Sequence, residues 1–193
     1  MNTIKENIEH EIIIKNSKFI TKLIKIKTKE EIEEALRKAK LDYPKANHYC
    51  YAYKLENIKK SSDDGEPGGT AGMPMLNILE KEDITNVLAI TIRYFGGIKL
   101  GAGGLVRAYA KSVKEAINQA TIVELIPAII CNITFPYNKE KEIKQEVKEE
   151  NILSKTYLEN ITYQVKLSTT SPLLKEKQVE KIKETYIEKA RYQ

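Results

Sequence analysis

The spacing of apolar residues along the first part of the chain predicts a mixture of strands and helices. A helix is expected to open at Thr28, which stands three residues before Glu31 as in a capping box, and to end at Pro44. Alternating or buried apolar patterns predict strands over residues 8–14, 19–26, 47–55 and 86–95. Two further helices are predicted over residues 73–81 and 103–122.

The segment after Glu124 contains no glycine and predicts a second set of elements. Ser171 and Pro172 have the residue types of an N-cap and a first helical position, so they predict the start of the last helix. The predicted order is strand, helix, strand, strand, helix, over residues 128–135, 139–150, 152–158, 161–169 and 172–190. This order suits a small ferredoxin-like sandwich without its final strand. We therefore expect an α+β protein with two domains, residues 1–125 and 126–193.

The glycines mark the region in which function is expected. All nine lie between Gly65 and Gly104. Glycine permits backbone angles and close approaches that other residues do not, and binding groups are frequently carried on loops. Two loops stand out, SSDDGEPGGTAG at residues 61–72 and GGIKLGAGG at residues 96–104.

The second loop has the chemistry of an anion site. It leads from a strand into a helix, whose first N–H groups lack partners and carry partial positive charge. Phosphate could approach the backbone at Gly101, Gly103 and Gly104, with Lys99 and Arg107 beside it. The chain has no Walker loop, and Val106 breaks the dinucleotide-binding fingerprint. The alternative is that these glycines only allow tight packing of strand against helix.

The helix that follows is predicted to have an apolar and a basic face. The apolar face combines Val106, Tyr109, Ala110, Val113, Ala116, Ile117 and Ala120. Arg107, Lys111 and Lys114 line a different face at helical spacing. That stripe would follow a phosphate backbone or an acidic protein surface, or it is simply the solvated side of the helix.

The first loop brings together three carboxylates, those of Asp63, Asp64 and Glu66. They could hold a hard cation such as Mg²⁺, act as an acid–base pair, or bond the loop's own N–H groups. The strand before this loop places His48 and Cys50 on one face, where a buried cysteine and a hydrogen-bonded histidine are expected. The other face of this strand carries three tyrosines, Tyr49, Tyr51 and Tyr53. They could form a stacking surface for bases or belong to the core.

Composition narrows the class of protein. Hydrophobic residues make up 41% of the 193 positions, enough for a buried core, and no apolar run is long enough to cross a bilayer. The first residues do not have the pattern of a secretion signal, so a cytoplasmic protein without membrane contact is expected. Cys50 and Cys131 are expected to be buried thiols. The net charge of +5 agrees with an anionic partner, although a general lysine bias would also produce it.

Long motifs in this chain resemble those of the IMPACT family, in particular its bacterial two-domain (YigZ-type) branch. They are NSKFI, NHYCYAYKL, SSDDGEPGGTAGMPML and ITIRYFGGIKLGAGGLVRAYAKSV, and the resemblance covers residues 1 to about 125. In the first glycine-rich motif it extends to Asp63, Asp64, Gly65, Glu66, Pro67, Gly69, Thr70, Ala71 and Gly72. In the second it extends to Arg93, Tyr94, Gly96, Gly97, Leu100, Gly101, Gly103, Gly104 and Arg107.

The resemblance implies a fold and a broad function. The first domain would have the βαβ fold of a small-subunit ribosomal protein and of domain IV of elongation factor G. The second would be similar to domain V of that factor. Eukaryotic members regulate translation initiation by competing for the activator of a kinase, but they carry a different second module, so that partner is not expected here. The resemblance supplies no catalytic residues, and no metal or cofactor is expected for this chain.

Three hypotheses follow from the sequence. The first is a translation-associated regulatory protein that binds RNA, the ribosome or a translation factor. Its ligand-binding residues would be Asp63, Asp64, Glu66, Arg93, Lys99, Gly101, Gly103, Gly104, Arg107 and Lys111. The second is a protein-interaction module that binds no nucleic acid. The third is a Mg²⁺-dependent enzyme of phosphate chemistry, in which both loops would face one cleft.

Overall fold

A computed structural model describes residues 1–55, 58–176 and 178–190, and they form two compact units. The first unit is Met1–Val123, and the second takes in the described residues from Glu124 on. No helix within the described ranges is long and apolar enough to span a membrane.

The first unit is built on a five-stranded antiparallel sheet. The elements of this unit are β1 (Asn2–Ile4), β2 (Ile8–Ile14), β3 (Ser17–Lys25), α1 (Lys29–Asp42), β4 (His48–Leu55), β5 (Ile58–Ser62), α2 (Gly72–Lys81), β6 (Val87–Tyr94) and α3 (Ala102–Gln119). All of these strands except β1 belong to the five-stranded sheet. The strand order is β2-β3-β6-β4-β5, so the predicted strands assemble around β6 at the centre. The sequence patterns did not predict β1 or β5.

Both faces of this sheet are covered by helices. On one face Phe19 and Cys50 pack with residues of α2 and α3, such as Met75 and Tyr109. On the other face, Tyr53 and neighbouring aliphatic side chains pack with Ile32 and other residues of α1. The tyrosines of β4 therefore belong to the α1 side, where Tyr53 is buried and Tyr49 and Tyr51 are partly buried. This placement favours the core interpretation of these tyrosines.

The helix predicted to start after Thr28 is confirmed together with its cap. Thr28 Oγ1 accepts a hydrogen bond from the Glu31 N–H at 3.3 Å, and the Glu31 carboxylate accepts from the Thr28 N–H at 3.4 Å. The reciprocal bonds satisfy two N–H groups that a helix start leaves unpaired.

The buried face of α3 differs in part from the prediction. Leu105, Ala108 and Ser112 are buried, whereas Val106 is 37% exposed, so assigning Val106 to the core was wrong. Val106 and its neighbour Leu105 are both hydrophobic, so hydropathy does not show which of them is buried. Packing of α3 against α2 and the sheet buries the side of the helix that contains Leu105. The basic stripe of Arg107, Lys111 and Lys114 is exposed, as predicted.

The described residues of the second unit form four strands and one short α-helix. Its elements are β7 (Ile122–Phe135, which begins in the first unit), α4 (Glu140–Glu146), β8 (Ile152–Tyr157), β9 (Ile161–Ser168) and β10 (Val179–Ala190). β9 lies between β7 and β8, and β10 pairs with β7. Phe135, Ile143 and Tyr163 are among the residues of its core.

The predicted last helix, residues 172–190, is wrong. A 3₁₀ turn occupies Pro172–Lys175 and the strand β10 occupies Val179–Ala190, while Lys177 lies outside the described residues. Ser171 and Pro172 do start a helical turn, but the following residues pair with β7, and such tertiary pairing overrides local helix propensity. The predicted helix over 139–150 is likewise shorter, because α4 ends at Glu146. Residues 191–193 of the expected second domain also lie outside the described residues.

Candidate functional site

The carboxylate of Asp63 organises the first glycine-rich loop from within. Its two oxygens accept hydrogen bonds from the N–H groups of Gly69, Ala71 and Gly72 at 2.8–3.0 Å. Burial by itself raises the pKa of Asp63, but the three N–H donors outweigh it and hold the pKa below its usual value. Asp63 thus fits the alternative in which the acidic residues bond the loop's own backbone.

Replacing Asp63 with asparagine is expected to destabilise the protein in a pH-dependent way. The asparagine side chain keeps only one acceptor oxygen for three donors, so we expect a loss of about 1–3 kcal/mol at neutral pH. The folded-state pKa of Asp63 is lowered, so its carboxylate stabilises the fold above the unfolded-state value of 3.8. That contribution declines as the pH falls below 3.8 towards the folded-state pKa.

Urea unfolding of the wild type and of Asp63→Asn between pH 2 and pH 7 measures this effect. The difference in unfolding free energy between the two proteins should shrink in the acid range. A difference that stays constant at all pH values would contradict the assigned role of the charge.

Asp64 connects the same loop to the start of β4. Its carboxylate accepts the Tyr49 N–H at 2.7 Å, and its backbone carbonyl lies 2.9 Å from His48 Nδ1. Asp64 itself adopts a left-handed backbone with φ of +44°. Its carboxylate is therefore occupied within the loop, like that of Asp63.

Glu66 is buried where the loop, β6 and α3 meet. Its Oε1 accepts hydrogen bonds from Arg93 Nη1 at 2.6 Å and from the Tyr109 hydroxyl at 2.7 Å. Its Oε2 lies 3.8 Å from His48 Nε2. The Arg93 guanidinium also donates to Ser17 Oγ at 3.4 Å, while its Nε has no partner among the described residues. Glu66 and Arg93 thus form a buried ion pair that joins three parts of the first unit.

Cys50 contributes to the same buried cluster as a thiol. Its Sγ donates to the Asp63 carbonyl at 2.9 Å and lies 3.3 Å from the Tyr109 hydroxyl. Burial raises the pKa of Cys50 to about 12, and burial also raises the pKa of Tyr109. The expectation of a buried cysteine beside a hydrogen-bonded His48 is confirmed, and Cys50 lacks the thiolate that nucleophilic chemistry requires.

The second glycine-rich loop reaches the surface at the start of α3. Gly101 is the N-cap residue with φ of +72°, a backbone conformation that favours glycine, and no side chain caps the helix. Gly103 lies in the exposed first turn next to the Arg107 guanidinium, and Lys99 is exposed. The first N–H groups of α3 are therefore accessible beside cationic side chains, as the anion-site interpretation requires.

A cleft of about 280 Å³ opens beside this turn. We call it the basic cleft, and its walls are formed by Ile14, Lys15, Leu100, Gly104, Arg107, Ala108 and Lys111. Lys15 belongs to the turn between β2 and β3 and was missed by sequence reasoning. The sequence predicted the strands over residues 8–14 and 19–26 on either side of this turn, but not the position of the turn next to α3.

The predicted site residues fall into two groups. Asp63, Asp64, Glu66 and Arg93 form an internal network, and no residue of the 61–72 loop lines the basic cleft. Gly104, Arg107 and Lys111 line the basic cleft, with Gly101, Gly103 and Lys99 in the adjoining turn. Within the ranges that the structure covers, no group of three or more His, Cys, Asp or Glu side chains could hold a metal ion. The geometry therefore favours the residues of the basic cleft and its adjoining turn as the surface that a ligand can reach.

Comparisons with known proteins agree on one family. The family described as Impact N-terminal domain matches residues 15–117. The IMPACT family member YvyE of Bacillus subtilis (strain 168) is 43% identical over 167 residues, covering 84% of this chain and 77% of the relative. YigZ of Escherichia coli (strain K12) is 40% identical over 131 residues, which cover 65% of this chain and 64% of YigZ.

One solved structure is similar over nearly the whole length. A protein described as "Crystal structure of an hypothetical protein" superposes with a TM-score of 0.67 at 26% identity. The match covers 94% of this chain and 95% of that protein.

Proposed function

The chain belongs to the IMPACT family, and from that premise we propose that it is a translation-associated regulatory protein that binds RNA or the ribosome through the basic cleft. The observation that carries the proposal is the convergence of Lys15, Arg107 and Lys111 on one opening at the start of α3. Cationic side chains and unpaired backbone N–H groups are the groups that bind phosphate in nucleic acids.

The charges around the basic cleft support an anionic ligand. Lys15, Lys99 and Arg107 are exposed, and none of them has an ion-pair partner among the described residues. Lys111 pairs with Glu115 at 3.5 Å across one helical turn, an exposed contact worth little in free energy. The three carboxylates of the 61–72 loop bond backbone N–H groups or Arg93, and none of them forms an ion pair with Lys15, Lys99 or Arg107 among the described residues.

We further propose that residues 1–125 act as the binding domain and residues 126–193 as a ferredoxin-like domain. The strand order β8-β9-β7-β10, with α4 after β7, supports the second assignment. The second helix of such a fold is reduced to the 3₁₀ turn at Pro172–Lys175 between β9 and β10. We also propose that the two domains are similar to domains IV and V of elongation factor G and that the protein is located in the cytoplasm. A cytoplasmic protein with this fold could bind the translation machinery directly.

Arg107→Ala is expected to weaken binding of RNA by about three- to tenfold at physiological salt, because one phosphate contact is lost. The measurement is fluorescence anisotropy with a labelled single-stranded RNA over a series of salt concentrations. Wild-type affinity should fall steeply with salt, and the slope for Arg107→Ala should be smaller by about one contact.

Arg37→Ala is the matched control. It removes the same charge from α1, on the opposite face of the sheet, where Arg37 is exposed and paired with Glu34. This variant should bind RNA almost like the wild type. Binding that does not depend on salt, or equal losses in both variants, would count against the basic cleft and favour a protein partner.

A further inference from the structure

An exposed aromatic side chain stands directly after β6, immediately before the second glycine-rich loop. Phe95 is 48% exposed, although phenylalanine is a residue that proteins ordinarily bury. It is followed by the glycines of the second loop and by Ile98, which is 45% exposed. About half of the Phe95 surface is therefore exposed to solvent and does not pack in the core of the first unit.

The backbone beneath Phe95 is fixed at several points. The Phe95 N–H donates to Asn47 Oδ1 at 2.8 Å, and the Gly96 N–H donates to Ser17 Oγ at 3.2 Å. A Cβ atom at Gly96 would lie 2.0 Å from the backbone carbon of Asn16, so the two chains are in close contact there. The exposed ring is therefore carried on a rigid support.

The ring also has a cation beside it. The Arg93 guanidinium lies 5.7 Å from the Phe95 ring centroid and 5.4 Å from that of the buried Phe19. Arg93 is itself held by Glu66, so the buried ion pair fixes the cation next to the exposed ring. This arrangement orients Phe95 before any ligand arrives, which lowers the entropic cost of stacking on it.

Short stretches of chain connect Phe95 to the basic cleft. The Gly96 backbone touches Asn16, and the residue before Asn16 is Lys15 of the basic cleft. The segment from Phe95 to Leu100 connects the ring to the cleft and carries the exposed Lys99. A chain of phosphates lying in the cleft would thus bring its bases within reach of an aromatic ring.

We propose that Phe95 is a stacking platform for an unpaired base and that the ligand of this surface is single-stranded RNA. The inference rests on the proposed function, because the basic cleft supplies the phosphate contacts. Bases in a duplex are already stacked on their neighbours, and only unpaired bases can place a face on a side chain. Phe95 therefore selects the single-stranded form, while the cleft contributes affinity for any phosphate backbone.

Phe95→Ala is expected to weaken binding of a single-stranded oligonucleotide roughly tenfold, the usual size of a lost base–aromatic contact. Affinity for a duplex of the same length should change less than about twofold, since phosphate contacts remain. Phe95→Leu, which keeps apolar bulk but removes the ring, should behave like Phe95→Ala. A 2-aminopurine placed in the single strand should be quenched by the wild type and not by either variant.

The outcomes separate this inference from the proposed function. Unchanged single-strand affinity in Phe95→Ala, with a loss in Arg107→Ala, would overturn the stacking platform and leave the basic cleft intact. Equal losses for single strand and duplex would also overturn it. Absence of salt-dependent binding in the wild type would overturn both. Thermal unfolding of each variant should match the wild type, because an exposed ring adds little to stability.

Discussion

Replacing Glu66 with alanine is expected to lower the free energy of unfolding by about 3–5 kcal/mol, because it leaves the Arg93 charge buried without its partner. The two side chains are only 4% and 6% exposed, and their N–O distance is 2.6 Å. Tyr109 would lose an acceptor at the same time. Urea unfolding monitored by circular dichroism measures this loss.

The control is an ion pair with the same distance on the surface. Glu34 and Arg37 are also 2.6 Å apart, but both are more than 60% exposed. Glu34→Ala should therefore cost less than about 1 kcal/mol. A similar cost for Glu34→Ala and Glu66→Ala would show that burial is not what makes the Glu66 pair important.

A double variant refines the test. In Glu66→Leu with Arg93→Met, neither charge remains buried, so much of the stability lost in Glu66→Ala should return. RNA affinity in that variant should still fall, because Arg93 no longer orients Phe95. Recovery of stability without loss of affinity would assign the ion pair to folding alone.

Gly96→Ala is expected to destabilise the protein by about 3 kcal/mol, the upper end of what overpacking usually costs. The added Cβ would lie 2.0–2.4 Å from the backbone of Asn16 and Ser17, far closer than atoms approach in folded proteins. The contact is between two backbones, so no side chain can rotate away. Either the turn between β2 and β3 or the end of β6 must move, and single-strand RNA affinity should fall as well.

Gly68→Ala provides the comparison within the other glycine-rich loop. An added Cβ at Gly68 meets nothing within 4 Å. This variant should unfold within about 0.5 kcal/mol of the wild type. If Gly96→Ala is equally mild, the close contact at Gly96 does not restrict the fold as its geometry indicates.

The candidate site could be predicted from sequence in part. Glycine clustering pointed to residues 61–104, and helical spacing placed Arg107 and Lys111 on an exposed face, as the structure has them. The division of roles could not be predicted. Glu66 lies only two residues from Asp64 in the chain, but it turns inward to Arg93 across 27 positions of sequence. Lys15 enters the cleft only because β2 and α3 pack together.

By itself, the sequence determined the local elements whose signals lie within a few residues. The Thr28 capping box, the alternation of β4 and the basic stripe of α3 depend on short-range geometry, so they appeared as predicted. The motifs also determined the family. Contacts between distant segments were decided only by the tertiary structure. β10 is a strand because β7 offers it hydrogen bonds, and Arg93 is a buried partner because the 61–72 loop folds over it. Such pairings depend on three-dimensional proximity, which local propensity does not encode.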